Sequence, residues 1–139
     1  MIVVDASFLA ALYHPHDERH EAAMAWYERE LSGVFVTTPI VVAEMDHMIR
    51  RYAGKGGERI VAANLATGAL EVDWWPDAVR TCWKIVDTRP EIGMADASLV
   101  ALAAHRRTTR IATFDERHFR SFAPLTGEPG FTLLPADAH

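Results

Sequence analysis

The chain has 139 residues, 50% of them hydrophobic, and a formal net charge of −5. That length and apolar content predict a single domain over residues 1–139 with a sizeable core. The acidic balance argues against a protein that grips nucleic acid through a generally basic surface, and the lone cysteine, Cys82, excludes an internal disulfide and a thiolate metal cluster.

The first half of the chain alternates strand-like runs with helical patterns. Thr38 has the chemistry of a helix cap, and Pro39 suits the first position of the helix that follows. Residues on one face of that helix are apolar at spacings of three or four, and we expect it to bury Val41, Met45, Met48, Ile49 and Tyr52. The predicted elements are a strand at 2–4, a short helix at 6–12, a longer helix that starts at 15–18 and is closed by Gly33, a strand at 34–36, and the helix after Thr38.

The second half continues the alternation. Gly54, Gly56 and Gly57 are expected to interrupt the helical pattern. The predicted elements are then a helix at 58–67, a strand at 70–72, a helix through Val79, Trp83 and Val86, a helix at about 94–107, and strands at 110–113 and 131–134. Strands separated by helices predict an α/β fold, with a parallel sheet of about five strands and helices on both faces.

Four acidic residues that lie far apart in the sequence fall where a strand ends, or where a helix begins or faces inward. Asp5 directly follows the first strand, and Asp115 follows the fourth in Thr113-Phe114-Asp115. Because all strands of a parallel sheet open their carboxyl ends onto one edge, these two side chains are expected to converge there. The other two acids are Glu44 and Asp96.

Glu44 lies three residues after Val41, on the edge of the inward face of its helix, where a carboxylate is costly to bury unless it is paired or bound to a cation. Asp96 falls in the first turn of a helix, and the helix dipole alone would account for it. A role as a turn residue that caps the next helix would likewise be enough to account for Asp115. Their joint placement favours a common site.

Carboxylates brought together repel one another and stay ionised only if positive charge lies among them. Divalent ions that prefer oxygen ligands, Mg²⁺ or Mn²⁺, meet that need. Such ions polarise phosphodiesters and generate a hydroxide nucleophile, so the pattern indicates hydrolysis of nucleic acid.

The motifs around these acids resemble those of the PIN-domain ribonucleases, in particular the VapC-type toxins. The motifs run in order and spacing through nearly the whole chain: Ile-Val-Val-Asp-Ala-Ser at 2–7, the Thr38-Pro39…Ala43-Glu44 helix, Asp96-Ala97, and Thr113-Phe114-Asp115…Phe119. The resemblance implies a three-layer α/β/α fold and a quartet formed by Asp5, Glu44, Asp96 and Asp115 around Mg²⁺ or Mn²⁺.

The resemblance also implies a role for each site residue. Asp5 and Asp96 are expected as direct ligands, and Glu44 as a ligand or as the residue that orients the attacking water. Asp115 is expected as the fourth acid, with Glu116 as a possible substitute beside it. Ser7 and Thr113 occupy the supporting hydroxyl positions.

For function, the resemblance implies hydrolysis of RNA to a 5′-phosphate and a 3′-hydroxyl, with no side-chain nucleophile. It further implies that the protein is the toxin of a toxin–antitoxin pair, bound by a VapB-type antitoxin that covers the active-site groove, and that it forms homodimers. We expect it in the cytoplasm without a membrane partner, because the apolar start is broken by Asp5 and no later segment has the roughly 20 uncharged residues of a membrane span.

Two other functions are open to such a chain. A PIN-like module without activity would bind RNA or protein, although retention of all four acids favours an enzyme. A phosphatase with an aspartate nucleophile also places an acid after its first strand, but Asp5-Ala6-Ser7 lacks the second acid two residues on.

Several further residues have the right chemistry for a site without the right setting. We expect His14, His16 and His20 to lie at an exposed helix entry rather than to bind metal. His47 and His118 stand near candidate acids in sequence, where either could touch substrate, but we expect them at the surface. Trp74 and Trp75 could stack on bases but fit burial under a helix at least as well.

A local group of basic residues could still contact nucleic acid at the rim of the site. It could come from Arg50, Arg51, Lys55 and Arg59, from Arg106, Arg107 and Arg110, or from Arg117 and Arg120.

Overall fold

A parallel sheet of five short strands lies at the centre of the fold. The structure is a computed structural model that describes residues 1–138. The strands are β1 (Ile2–Val4), β2 (Phe35–Thr37), β3 (Glu71–Val72), β4 (Arg110–Ala112) and β5 (Thr132–Leu134). The helices are α1 (Ala6–Tyr13), α2 (His20–Arg29), α3 (Pro39–Tyr52), α4 (Gly54–Thr67), α5 (Ala78–Thr88), α6 (Met94–His105) and α7 (Glu116–Arg120). The predicted α/β fold with a parallel five-stranded sheet is confirmed.

The strand order is β3-β2-β1-β4-β5. The chain first adds β2 and β3 on one side of β1, and then adds β4 and β5 on the other side. Val3 of β1 pairs with Val36 of β2 and with Ile111 of β4. The order therefore reverses between β1 and β4, and the crevice outside the carboxyl ends of two such strands is where open α/β sheets bind ligands. Asp5 and Thr113 are the residues that follow these two strands.

The core lies between the sheet and the helices, and helix α6 contributes an unbroken run of buried residues to it. Residues Ala97 through Ala103 are all buried, and many are small. Small side chains let α6 pack closely against β1, α3 and α5. That packing fixes the first turn of α6, where Asp96 lies.

Helix α2 begins at His20, later than the predicted start at 15–18. Asp17 Oδ1 instead accepts a 2.8 Å hydrogen bond from the Arg19 backbone amide, which turns the chain before the helix. His20 Nδ1 lies 2.8 Å from the Ala11 carbonyl oxygen and ties the helix start to α1. The helix ends at Arg29, four residues before Gly33.

Helix α3 begins as predicted, with Thr38 Oγ1 accepting a 3.3 Å hydrogen bond from the Val41 amide. It buries Val41, Met45 and Ile49, whereas Tyr52 is 60% exposed, contrary to the prediction. Tyr52 is the last residue of the helix and lies at the edge of its packed face.

The glycines after α3 are part of helix α4, which starts at Gly54 and not at 58 as predicted. A Cβ on Gly57 would lie 2.9 Å from Ala53 Cβ and 3.0 Å from Ile49 Cγ2. The missing side chain therefore lets α4 approach the end of α3. The expected break is instead a close helix–helix contact.

Two of the three apolar residues that mark α5 in the sequence lie outside its buried face, and the third, Val86, is only partly buried. Its buried face is formed by Ala78, Cys82 and Ile85, while Val79 is 57% and Trp83 61% exposed. Across residues 1–138, none of the helices combines the length and apolar character needed to cross a bilayer.

Candidate metal centre

Asp5 is held at the carboxyl end of β1 by hydrogen bonds to both of its carboxylate oxygens, and its side chain is almost fully buried. Oδ1 accepts from the Ala6 amide at 2.7 Å. Oδ2 accepts from Ser7 Oγ at 2.8 Å and from Thr113 Oγ1 at 2.7 Å. Both predicted supporting hydroxyls therefore contact this carboxylate, and one of them comes from the end of β4.

The same two hydroxyls fix the loop that carries Asp115. Ser7 Oγ accepts a 3.0 Å hydrogen bond from the Phe114 amide, and Thr113 Oγ1 accepts a 2.9 Å bond from the Asp115 amide. Each hydroxyl thus donates to Asp5 and accepts from the backbone after β4. The network sets the position of Asp115 relative to Asp5.

Asp96 and Asp115 meet through a histidine. His118 Nδ1 lies 3.1 Å from Asp96 Oδ2 and 2.8 Å from Asp115 Oδ2. One ligand atom from each of the three side chains can be chosen so that all lie within 4.8 Å of one another. Asp96 comes from the first turn of α6 and Asp115 from the residue before α7, so two separate elements supply this pair of acids.

Glu44 projects from α3 and is more exposed than the other acids. Partial burial raises the pKa of its carboxyl, and repulsion from the charges of Asp5 and Asp115 raises this pKa further. Glu44 is therefore within electrostatic range of the group, although within residues 1–138 it forms no hydrogen bond or ion pair with it.

The electrostatics of the group are those of crowded carboxylates. Burial raises the pKa of Asp5, against the opposing effect of hydrogen bonds from Thr113, Ser7 and Ala6. Burial also raises the pKa of Asp96 to about 6, with repulsion from Asp5 adding to the effect and the nearby His118 opposing it. In the absence of added positive charge, the folded protein thus resists full ionisation of this site.

This donor set fits a divalent cation. Asp96 and Asp115 offer carboxylate oxygens within 4.8 Å of each other, and Asp5 and Glu44 lie close enough for their charges to act on Asp96. Carboxylate oxygens are the ligands that hard divalent ions prefer. A cation would supply the charge that makes their joint ionisation favourable. The structural observation that supports this fit is that ligand atoms of Asp96, Asp115 and His118 all lie within 4.8 Å of one another. The raised pKa values of Asp5 and Asp96 agree with it.

All four predicted acids therefore lie in one region. Thr113 links Asp5 to the Asp115 backbone, and His118 contacts both Asp115 and Asp96. Glu44 is related to this group by charge repulsion alone. Glu116 has a different partner: its Oε2 is 3.3 Å from Arg120 Nη2 on the same helix, whereas Asp115 contacts His118. Their roles in binding a metal or in catalysis stay predictions.

His118 was expected at the surface, and sequence reasoning missed its contacts. Its side chain is 47% exposed, yet it touches two of the four acids. The available signal was its spacing of three residues from Asp115 at the start of a helix, which brings two side chains onto the same face.

Other sequence candidates lie apart from the acids or are already paired. The ring of Trp75 stacks on His105 with centroids 4.2 Å apart. Several arginines of the candidate basic rim form ion pairs: Arg50 with Glu58, Arg106 with Glu71 and Asp73, Arg110 with Glu30, and Arg120 with Glu116 and Asp137.

Comparison with known proteins gives concordant matches. The model of the PIN domain family matches residues 2–124. Ribonuclease VapC26 of Mycobacterium tuberculosis is 34% identical over 139 aligned residues, which cover 96% of this chain and 100% of that protein. The crystal structure of Mycobacterium tuberculosis VapC20, described as a sarcin-ricin loop cleaving toxin, matches with a TM-score of 0.78 and 22% identity, covering 90% of this chain and 98% of the other. At that identity the structural match bears on the fold.

Proposed function

Because the chain belongs to the PIN-domain family, we propose that it is a divalent-cation-dependent endoribonuclease of the VapC type, acting as the toxin of a toxin–antitoxin pair. The observation that carries the proposal is that carboxylate oxygens of Asp96 and Asp115 lie within 4.8 Å of each other, and that Thr113 links Asp5 to the Asp115 backbone where the strand order of the sheet reverses. A binding module would have no use for such a costly concentration of like charge.

The cation would be Mg²⁺ or Mn²⁺, held by Asp5 and Asp96, with Asp115 and Glu44 completing the acidic quartet. Once bound, such an ion polarises the phosphodiester and lowers the pKa of water, which supplies the nucleophile for hydrolysis. The expected products carry a 5′-phosphate and a 3′-hydroxyl.

Asp5 is preorganised for ligation by its hydrogen bonds. Oδ2 accepts from two hydroxyls, Ser7 and Thr113, which occupy both of its lone-pair directions. Within residues 1–138, Oδ1 accepts a hydrogen bond only from the Ala6 amide, so it retains a lone pair for a cation. The supporting hydroxyls thus orient the carboxylate.

Glu44 has the properties of a residue that positions water. It is more exposed than Asp5 and Asp96, and the neighbouring charges raise its pKa, which makes the carboxylate a better proton acceptor. We assign it the role of holding the attacking water, or of completing the ligand set.

The partners of this function are RNA, a VapB-type antitoxin and a second copy of the chain, in the cytoplasm. Two exposed apolar surfaces support protein partners. One is a groove of about 290 Å³ whose lining includes Leu12, Tyr13, Met24 and Ile60. The other is the outward face of α5, with Val79 and Trp83.

A cleavage assay tests the function. Mixed RNA is incubated with the protein in Mn²⁺, in chelator, and with the variant Asp5→Asn, and the fragment ends are mapped. Asp87→Asn, at an exposed acid on α5, is the matched control. We expect wild type and Asp87→Asn to leave 5′-phosphate ends, and chelator or Asp5→Asn to abolish cutting.

Three outcomes would count against the proposal. Persistent cutting in chelator would discard the metal mechanism, and 2′,3′-cyclic phosphate ends would indicate attack by the RNA's own hydroxyl. Cation binding without cleavage of any RNA would favour a PIN-like module that only binds.

A further inference from the structure

We infer that His118 is itself a ligand of the cation, which makes the centre a mixed nitrogen–oxygen site that selects Mn²⁺ over Mg²⁺. The inference rests on the proposed function, because it concerns the same centre. It adds a residue outside the acidic quartet and a preference among metals.

The first support is the spacing of the donor atoms. Ligands in neighbouring positions of a six-coordinate ion with bonds of about 2.1 Å lie about 3.0 Å from each other. His118 Nδ1 is 3.1 Å from Asp96 Oδ2 and 2.8 Å from Asp115 Oδ2. Both distances equal, within a few tenths of an ångström, those between adjacent ligands of one ion.

The second support is the anchoring of the short helix that carries His118. The next residue, Phe119, is buried and packs edge-on against Phe131. Arg120 then donates two hydrogen bonds to Asp137, at 2.8 and 2.6 Å. These contacts hold the backbone of α7 in place, so the imidazole stays beside the two carboxylates.

The third support is the chemistry of the nitrogen donor. Imidazole suits transition metals, whereas Mg²⁺ favours carboxylate oxygens and water. Ionised carboxylates only accept hydrogen bonds, so without a cation the Nδ1–H group donates a hydrogen bond to Asp96 Oδ2 or Asp115 Oδ2. To bind a cation, the neutral ring presents the lone pair of Nδ1 and carries its proton on Nε2. Loss of His118 should therefore affect Mn²⁺ far more than Mg²⁺.

A different role for His118 would be that of an internal counter-ion, which neutralises the acids only until a metal displaces it. The two roles predict opposite effects. Removing a ligand weakens Mn²⁺ binding, whereas removing a competing counter-ion strengthens the binding of both metals.

The test measures metal binding and coordination, independently of RNA cleavage. Mn²⁺ and Mg²⁺ are titrated separately into metal-free wild type, His118→Gln and His118→Ala by calorimetry. Pulsed electron paramagnetic resonance then detects nitrogen coupled to the bound Mn²⁺. His47→Gln, at an exposed histidine on α3, is the control, and thermal unfolding verifies that each variant is folded.

We expect wild type and His47→Gln to show nitrogen coupling and to bind Mn²⁺ more tightly than Mg²⁺. Both His118 variants should lose the coupling and about tenfold or more in Mn²⁺ affinity, with Mg²⁺ affinity changed much less. Absence of nitrogen coupling in wild type with Mn²⁺ bound would overturn the inference. So would equal losses for both metals, or tighter binding of both.

The failure of this inference differs from the failure of the proposed function. If Mn²⁺ binds without nitrogen coupling and RNA is still cut in a metal-dependent way, His118 is no ligand and the nuclease stands. If neither metal binds, the proposed metal centre and this inference fall together.

Discussion

The Thr113 hydroxyl donates a 2.7 Å hydrogen bond to Asp5 and so joins the end of β4 to the end of β1 across 108 residues of sequence. The same oxygen accepts from the Asp115 amide at 2.9 Å. One threonine therefore satisfies a buried carboxylate and positions the loop that delivers another acid. The bond lies where the order of the strands reverses.

Replacing this threonine with valine should destabilise the protein. Thr113→Val keeps the shape of the side chain but leaves Asp5 Oδ2 without one of its two hydroxyl donors and the Asp115 amide without its acceptor. We expect a loss of about 1–3 kcal/mol in the free energy of unfolding, measured with urea. Cleavage of RNA should fall as well, since the Asp5 carboxylate is no longer fixed.

Thr81→Val is the matched control, because the Thr81 hydroxyl donates a solvent-exposed hydrogen bond to the Asp77 carbonyl at the start of α5, away from the acids. We expect it to change stability by less than about 0.5 kcal/mol. Equal losses of unfolding free energy in the two variants would show that the hydrogen bond between Thr113 and Asp5 stabilises the protein no more than the one within α5.

The stability of the metal-free protein should depend on the protonation of Asp96. Burial and repulsion from Asp5 raise the pKa of Asp96 from 3.8 to about 6, so the folded chain binds this proton more tightly than the unfolded chain. The stabilising contribution of the proton is therefore fully present below about pH 4 and is lost as pH rises through about 6.

Asp96→Asn removes this dependence. In chelator, the free energy of unfolding of the variant minus that of wild type should grow between pH 4 and 7, by at most about 3 kcal/mol. Added Mn²⁺ should then stabilise wild type at pH 7 but not the variant. If the difference in unfolding free energy between variant and wild type does not change with pH, burial and the neighbouring charges do not raise the pKa of Asp96.

Two adjacent glycines of α4 should respond oppositely to alanine. A Cβ on Gly57 would meet Ala53 Cβ at 2.9 Å, whereas a Cβ on Gly56 has nothing within 4 Å. Gly56→Ala should stabilise by about 0.4–1 kcal/mol through helix propensity and a less flexible unfolded chain. Gly57→Ala should destabilise by about 1–3 kcal/mol, because α3 and α4 must separate.

Urea unfolding of the two glycine variants gives the comparison directly. Because both substitutions have the same chemistry and lie in the same helix, their difference isolates the contact with Ile49 and Ala53. Stabilisation by both would mean that the approach of the two helices is not tight.

The sequence predicts the sheet, and the position of Asp5 and Asp115 after its strands, because both depend on short-range patterns. The apolar runs before Asp5 and Asp115 show where strands end, and a parallel sheet then brings those ends to one edge. Thr38 and Pro39 likewise mark the start of α3 by local chemistry alone.

Other features depend on packing that the pattern does not specify. Trp83 and Cys82 are both apolar neighbours on α5, but only the smaller side chain faces the core. Gly57 resembles a helix breaker until Ile49 and Ala53 are placed beside it. His118 gains its significance from Asp96, 22 positions earlier in the sequence, and no local pattern pairs them.

The position of the bound metal tests the central claim most directly. Crystals of the protein soaked with Mn²⁺ would be examined for anomalous scattering from the ion. We expect a peak among the carboxylates of Asp5, Asp96 and Asp115, with oxygen ligands at about 2.0–2.3 Å. No peak at these carboxylates, at a Mn²⁺ concentration that supports RNA cleavage, would contradict a nuclease built on this acidic cluster.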